Sequence, residues 1–208
     1  MDMALYFSLV GFVVAMSITP GPNNLMMMSS SALFGVRATL PHYLGVQLGF
    51  SLMAIAAVFG LGELVQRLPQ ALILVKAGGA VWLLWMSWQF VRAGLAQSGD
   101  VARKDEEARR ESRPFRLHEA ALFQWINPKA MLMTISASGA YIALAESPGE
   151  RAIILVGTFI LFGAPCGLLW ILAGGAIHRF MNDVRWSRLL NLAIALMLVA
   201  TIAIIVVD

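Results

Sequence analysis

Two short polar motifs interrupt otherwise apolar, charge-poor stretches of the chain: Thr19-Pro20-Gly21-Pro22-Asn23-Asn24 and Gln124-Trp125-Ile126-Asn127-Pro128-Lys129. Pro20 and Pro22 lack an amide hydrogen and Gly21 accepts unusual dihedrals, so the first motif breaks a helix, and Asn23 is placed to cap the helix that resumes toward Leu25. A resumed helix exposes amide donors and a partial positive charge, which suit a carboxylate. In the second motif Asn127 is biased away from helix by Pro128, and Lys129 opens the resumed segment. A lysine at the centre of a membrane span costs about 2.5–3.5 kcal/mol and needs compensation. A lone proline would read as a kink and a lysine near a span end as a snorkelling side chain. Here two prolines, a glycine and two amides stand together, and Lys129 lies ten residues past Glu119, about 15 Å at helical rise. Broken backbone survives in hydrocarbon only where protein or a water-filled cavity surrounds it. The candidate translocation residues are therefore Pro20, Gly21, Pro22, Asn23, Asn24, Gln124, Asn127, Pro128 and Lys129. Gln47, between Gly45 and Gly49, joins them as a hydrogen-bonding side chain, with an interhelical contact at a small-residue interface as its structural alternative.

The elements that must hold these residues follow from composition. In 208 residues, 59% are hydrophobic and only 13% charged, and the mean hydropathy is +0.76, values of a polytopic membrane protein. Stretches free of Asp, Glu and Arg run 3–36, 38–62, 68–91, 120–145, 152–178 and 189–207, and roughly 20 apolar residues span a bilayer core. The expected fold is all-α with six transmembrane helices. The polar, mixed-charge stretch 96–116 reads as a solvated loop dividing a first three-helix repeat, 1–95, from a second, 117–208. Each repeat opens on a broken helix, helices 1 and 4. Because three is odd, the repeats enter the membrane from opposite sides, the inverted architecture in which transporters hold substrate between paired breaks.

Orientation follows from the basic residues. Arg37, seven residues from Arg92 to Arg116, and Arg179, Arg185 and Arg188 fall on one side, against Arg67 and Arg151 on the other. The positive-inside rule makes the richer side cytoplasmic and places both termini on the non-cytoplasmic side. Met1-Asp2-Met3 supplies no positive n-region, so the first apolar run reads as a retained span rather than a signal peptide. Topology accounts for the net charge of +3, leaving no basic stripe for nucleic acid.

Other polar residues have structural readings: Lys76 snorkels outward, His42, His118 and His178 sit at span ends, Trp82, Trp85 and Trp88 pack, and the 12 methionines are core filler. His118-Glu119-Ala120-Ala121-Leu122 lacks the second histidine of a zinc protease motif, so the chain is read as a transporter and not an enzyme. With Cys166 as the single cysteine, a thiol electron carrier fails on arithmetic. No cofactor is expected. A metal-ion exporter is the alternative, although no cluster with ligand spacing stands in the sequence.

The combination of TPGPNN in span one, Phe34-Gly35-Val36-Arg37 after it, Gly45-Val46-Gln47-Leu48-Gly49 in span two and Asn127-Pro128-Lys129 in span four resembles the LysE/RhtB superfamily of amino-acid exporters across essentially the whole chain. After the second break, Ser136-Ala137-Ser138-Gly139-Ala140-Tyr141 departs from the Phe-x-Pro-Gln-Phe type sequence of the homoserine and threonine branch. Pro22-Asn23-Asn24, Ser29-Ser30, Leu48-Gly49-Phe50 and Trp170-x-x-Ala173-Gly174 look more like the cysteine and O-acetylserine exporter branch. The resemblance implies efflux of small neutral amino acids across a bacterial inner membrane by proton antiport, in a chain that is a candidate homo-oligomer. No Asp or Glu lies deep in a span, which leaves Lys129 and His42 as titratable candidates.

Overall fold

Inside hydrocarbon every backbone amide needs a partner within the protein, and helices supply one within a single segment. The computed structural model describes residues 2–61, 69–95, 113–178 and 184–207, and the regular elements among them are all helical. In chain order they are α1 (Met3–Ile18), α2 (Pro22–Phe34), α3 (Val36–Ala56, ending in a π turn, Ala57–Leu61), α4 (Pro69–Leu95), α5 (Leu117–Phe123, continued by a 3-10 turn, Gln124–Ile126), α6 (Pro128–Ala140), α7 (Pro148–Thr158), α8 (Ala164–His178) and α9 (Val184–Val207). The π turn Phe159–Gly163 joins α7 to α8.

Val36–Gly60 and Pro148–Ile177 are long and apolar enough to cross a bilayer, and α1 with α2, bent by 49°, adds a third crossing if the pair is one broken span. α4 and α9 have 27 and 24 residues, about 40 and 36 Å at helical rise. They pack along each other, as do α2 with α8 and α3 with α5.

Small residues set the closest approaches. A Cβ built on Gly45 would lie 2.2 Å from the Leu117 carbonyl oxygen, and one on Gly49 2.3 Å from that of Ala121. The GxxxG spacing on α3 thus lets α5 settle directly onto backbone. Gly174 on α8 does the same toward α2, with the Met28 carbonyl oxygen 2.1 Å from its virtual Cβ.

Three buried clusters surround these crossings. Leu9 and Val13 of α1 meet Met133, Ala137 and Phe159; Leu25 and Met28 of α2 meet Leu83, Met86, Ile194 and Leu198; Met27, Tyr43 and Val46 meet Ala120, Ala164 and Ile171. The bulky side chains Leu44, Leu48 and Leu52 of α3 face outward instead, as lipid contact requires.

Two expectations are corrected here. His42 is not interfacial: it is 2% exposed and stacks near Phe115, ring centroids 5.2 Å apart, because α5 and the segment before it close over this end of α3. Trp85 and Trp88 are not buried in the core but 51% and 59% exposed. His118 is exposed, in keeping with a place at a span end. Residues 96–112 and the side chains of Lys76, Trp82 and His178 lie outside the described residues.

Candidate substrate-translocation site

The two breaks share one local construction. Gly21 (φ −171°, ψ 172°) and Asn127 (φ −83°, ψ 108°) are extended, and each precedes a proline that begins a 13-residue helix. The ring of a following proline excludes the α region, which ends the incoming helix, while a proline at the first helical position has no amide to waste. Upstream, the Thr19 hydroxyl donates back to the Ala15 carbonyl and helps close the last turn of α1.

The capping asparagine belongs to the second break. Asn127 Oδ1 accepts from the Lys129 amide at 3.2 Å. Asn23, expected as the cap of the first break, instead stands inside α2 behind the cap Gly21 and the first-turn Pro22. Its side chain is thereby free to leave its own backbone.

It crosses to the other break. Asn23 Nδ2 donates to Gln124 Oε1 at 2.6 Å and Gln124 Nε2 donates to Asn23 Oδ1 at 3.3 Å. Gln124 is fully buried and gives its amide also to the Ala120 carbonyl at 2.9 Å. Asn24 Nδ2 reaches back to the carbonyls of Ser17 and Thr19 at 2.9 and 3.0 Å. From the second break, Lys129 Nζ donates to the carbonyls of Thr19 at 2.7 Å and Pro20 at 3.2 Å. Residues about a hundred positions apart in sequence thus form one polar cluster.

Beside the cluster opens a cleft with about 580 Å³ of space between its atoms, counting the open mouth. Gly21, Pro22, Asn23, Asn24, Gln47, Asn127 and Lys129 line it. Pro20, Gln124 and Pro128 do not. Gln124 lies behind Asn23, and Pro20 contributes its carbonyl to Lys129. Trp125, within the second motif, is 38% exposed and is absent from the lining, because the 3-10 turn Gln124–Ile126 sends Gln124 inward and Trp125 and Ile126 out.

The apolar walls were not legible as site residues. Met16, Met27 and Met133, together with Phe50 and Phe159, line the cleft, and Gly163 and Gly167 open space on its α7–α8 side. The spacing of Gly163 and Gly167, four apart on one helical face, is the signal that marks the last pair. The lining contains one formal charge, that of Lys129, and no carboxylate. Amide donors, freed carbonyls and one ammonium inside apolar walls fit a small zwitterion whose side chain is uncharged. Among the described residues no group of three or more His, Cys, Asp or Glu stands close enough to hold a metal ion.

Residues 14–206 match the family model described as LysE type translocator. Cysteine/O-acetylserine efflux proteins of Escherichia coli (strain K12), Escherichia coli O1:K1 / APEC and Shigella flexneri are each 25% identical over 194 residues, covering 90% of both chains. No solved structure matches the chain.

Proposed function

The chain belongs to the LysE type translocator family, and from that premise we propose that it exports small neutral amino acids or their derivatives from the cytoplasm by alternating access around the two breaks. The observation that carries this reading is the cleft on which both breaks converge, with Asn23, Asn24, Asn127 and Lys129 in one lining. The 25% identity to cysteine/O-acetylserine efflux proteins makes those two compounds the first substrates to test, with homoserine and threonine next.

In this reading the chain crosses a bacterial inner membrane six times, as inverted repeats 1–95 and 117–208 with the 96–116 loop in the cytoplasm. Its support is the equivalence of Pro22 and Pro128, each the first residue of a 13-residue helix, and the lengths of α4 and α9. The substrate carboxylate takes the amide donors at the start of α2 or the Lys129 ammonium, and its amine takes freed carbonyls. Proton antiport provides the driving force, with Lys129 and His42 as the groups able to carry the proton.

The test is efflux of labelled cysteine, O-acetylserine, homoserine and threonine from cells with and without the overexpressed chain, beside a divalent metal-ion panel. Faster amino-acid efflux supports the reading; metal efflux alone replaces it with the metal exporter. Lys129→Met, which keeps most of the side-chain volume, is expected to abolish amino-acid efflux while reaching the membrane at normal abundance. Wild-type efflux from that variant in purified vesicles would reduce Lys129 to a structural strut.

A further inference from the structure

Lys129 is an ammonium without a carboxylate: among the described residues, its ammonium partners are the carbonyls of Thr19 and Pro20. Those two oxygens would accept from the amides of residues 23 and 24 if the helix ran on, but Pro22 restarts it and leaves them without helical partners; Thr19 also accepts from the Asn24 side-chain amide at 3.0 Å, and the Pro20 oxygen has Lys129 as its partner. They belong to the C-terminal end of α1, where the helix dipole favours a cation. Broken transporter helices use such ends, with their unwound carbonyls, to coordinate cations.

The approach to the oxygens is also shaped for this side chain. A Cβ at Gly21 would lie 2.7 Å from Lys129 Cδ and 3.0 Å from Nζ, so the missing side chain of Gly21 is the notch through which the lysine passes. Gly21 and Lys129 both line the cleft, which gives the four-carbon stem space to swing into.

We propose that the Thr19–Pro20 carbonyls form a subsite for a ligand's primary ammonium, and that in the conformation seen here Lys129 occupies it as a tethered stand-in. Neutral oxygens hold an ammonium exchangeably, whereas a buried carboxylate would anchor it. An arriving ammonium displaces Lys129, and the freed lysine turns to the ligand's negative end. The assignment deepens the exporter reading and rests on it for the rest of the ligand, while the subsite itself rests on geometry alone.

The experiment empties the subsite in two ways in the full-length protein in nanodiscs: Lys129→Met removes the occupant, and Gly21→Ala evicts it while leaving the lysine in place. Gly21 is extended, so alanine fits its backbone. Melting temperature is then titrated with n-propylammonium chloride, against tetramethylammonium chloride and sodium chloride at equal ionic strength. Either variant is expected to gain a saturable rise of about 3–6 °C with propylammonium, larger than that of wild type, whose subsite is filled. The quaternary ion, which has no N–H, should give none. A response absent from both variants, equal in wild type, or matched by tetramethylammonium or sodium overturns the proposal. If one variant does not fold, the other decides. Because no amino acid is used, failure here leaves the exporter reading standing, and failure of amino-acid efflux leaves the subsite standing.

Discussion

Glu119 closes the start of α5 with three donors on one carboxylate. Arg113 donates from both terminal nitrogens, at 2.7 and 2.6 Å, and the Arg116 amide donates at 2.8 Å. The paired guanidinium first, and the amide second, hold the Glu119 carboxyl far below the usual carboxylate range, at about 2. A depressed folded value means stability that is complete above the unfolded carboxyl range and is lost as pH falls toward 2. Melts of wild type should therefore soften between roughly pH 4.5 and 2, and Glu119→Gln should flatten that dependence while lowering the melting temperature at neutral pH. Both groups lie at the surface and salt screens them, so the neutral-pH loss should shrink at high ionic strength. Equal pH curves for the two proteins would show that the clasp contributes nothing.

At the scale of elements, the α3–α5 crossing decides where Gln124 sits. The virtual Cβ of Gly49 lies 2.3 Å from the Ala121 carbonyl and 2.7 Å from Gln124 Cγ, and backbone cannot yield as a side-chain tip can. Gly49→Ala should cost about 1–3 kcal/mol and also impair efflux by shifting Gln124 away from Asn23. Gly11→Ala on α1, where nothing lies within 4 Å of the new methyl group, should be neutral or slightly stabilising, as helix propensity dictates. Melting temperatures of the two variants check the contrast, and equal effects would refute the close-approach account. The helices themselves were legible because charge-free runs and prolines report hydrocarbon and backbone directly: the run 3–36 became α1 and α2 with the break where Pro20 and Pro22 predict it. The cap was misplaced to Asn23 because Gly21 and Pro22 occupy the positions before it. The burial of His42 and the exposure of Trp85 and Trp88 were not legible for a different reason. Whether a side chain is covered depends on which helix crosses it, and that is settled by close approaches such as Gly45 on Leu117, 72 residues away in sequence.

For the whole molecule, basic residues concentrate in the loops expected on the cytoplasmic side. Single cysteines at Asp105 and Glu150, in a Cys166→Ala background, should react with an impermeant thiol reagent from opposite faces of the membrane, position 150 in intact cells and position 105 only after permeabilisation. Labelling of position 105 in intact cells would reverse the orientation. The convergence of both breaks on one cleft was expected from the odd number of spans per half, yet the partners were not. Lys129 choosing the Thr19 and Pro20 carbonyls, and Asn23 choosing Gln124, are outcomes of tertiary packing between segments about a hundred residues apart, about which no local sequence window carries information.

Those same bonds set a timetable for biogenesis. Thr19 precedes its lysine partner by 110 residues, and a ribosome adding about 5–20 residues per second leaves that gap open for on the order of 5–20 s. Throughout that interval the Pro20 carbonyl and the Asn23 side chain lack the partners the second break supplies, so the elbow is expected to wait in the water of the insertion machinery or beside a chaperone. The amino-terminal half is thus expected to behave as an unfinished client rather than an independent unit. Residues 1–95 expressed alone should be degraded rapidly, and co-expression of residues 96–208 should restore their half-life in a pulse-chase; persistence of the lone half would mean that the elbow finds its partners locally.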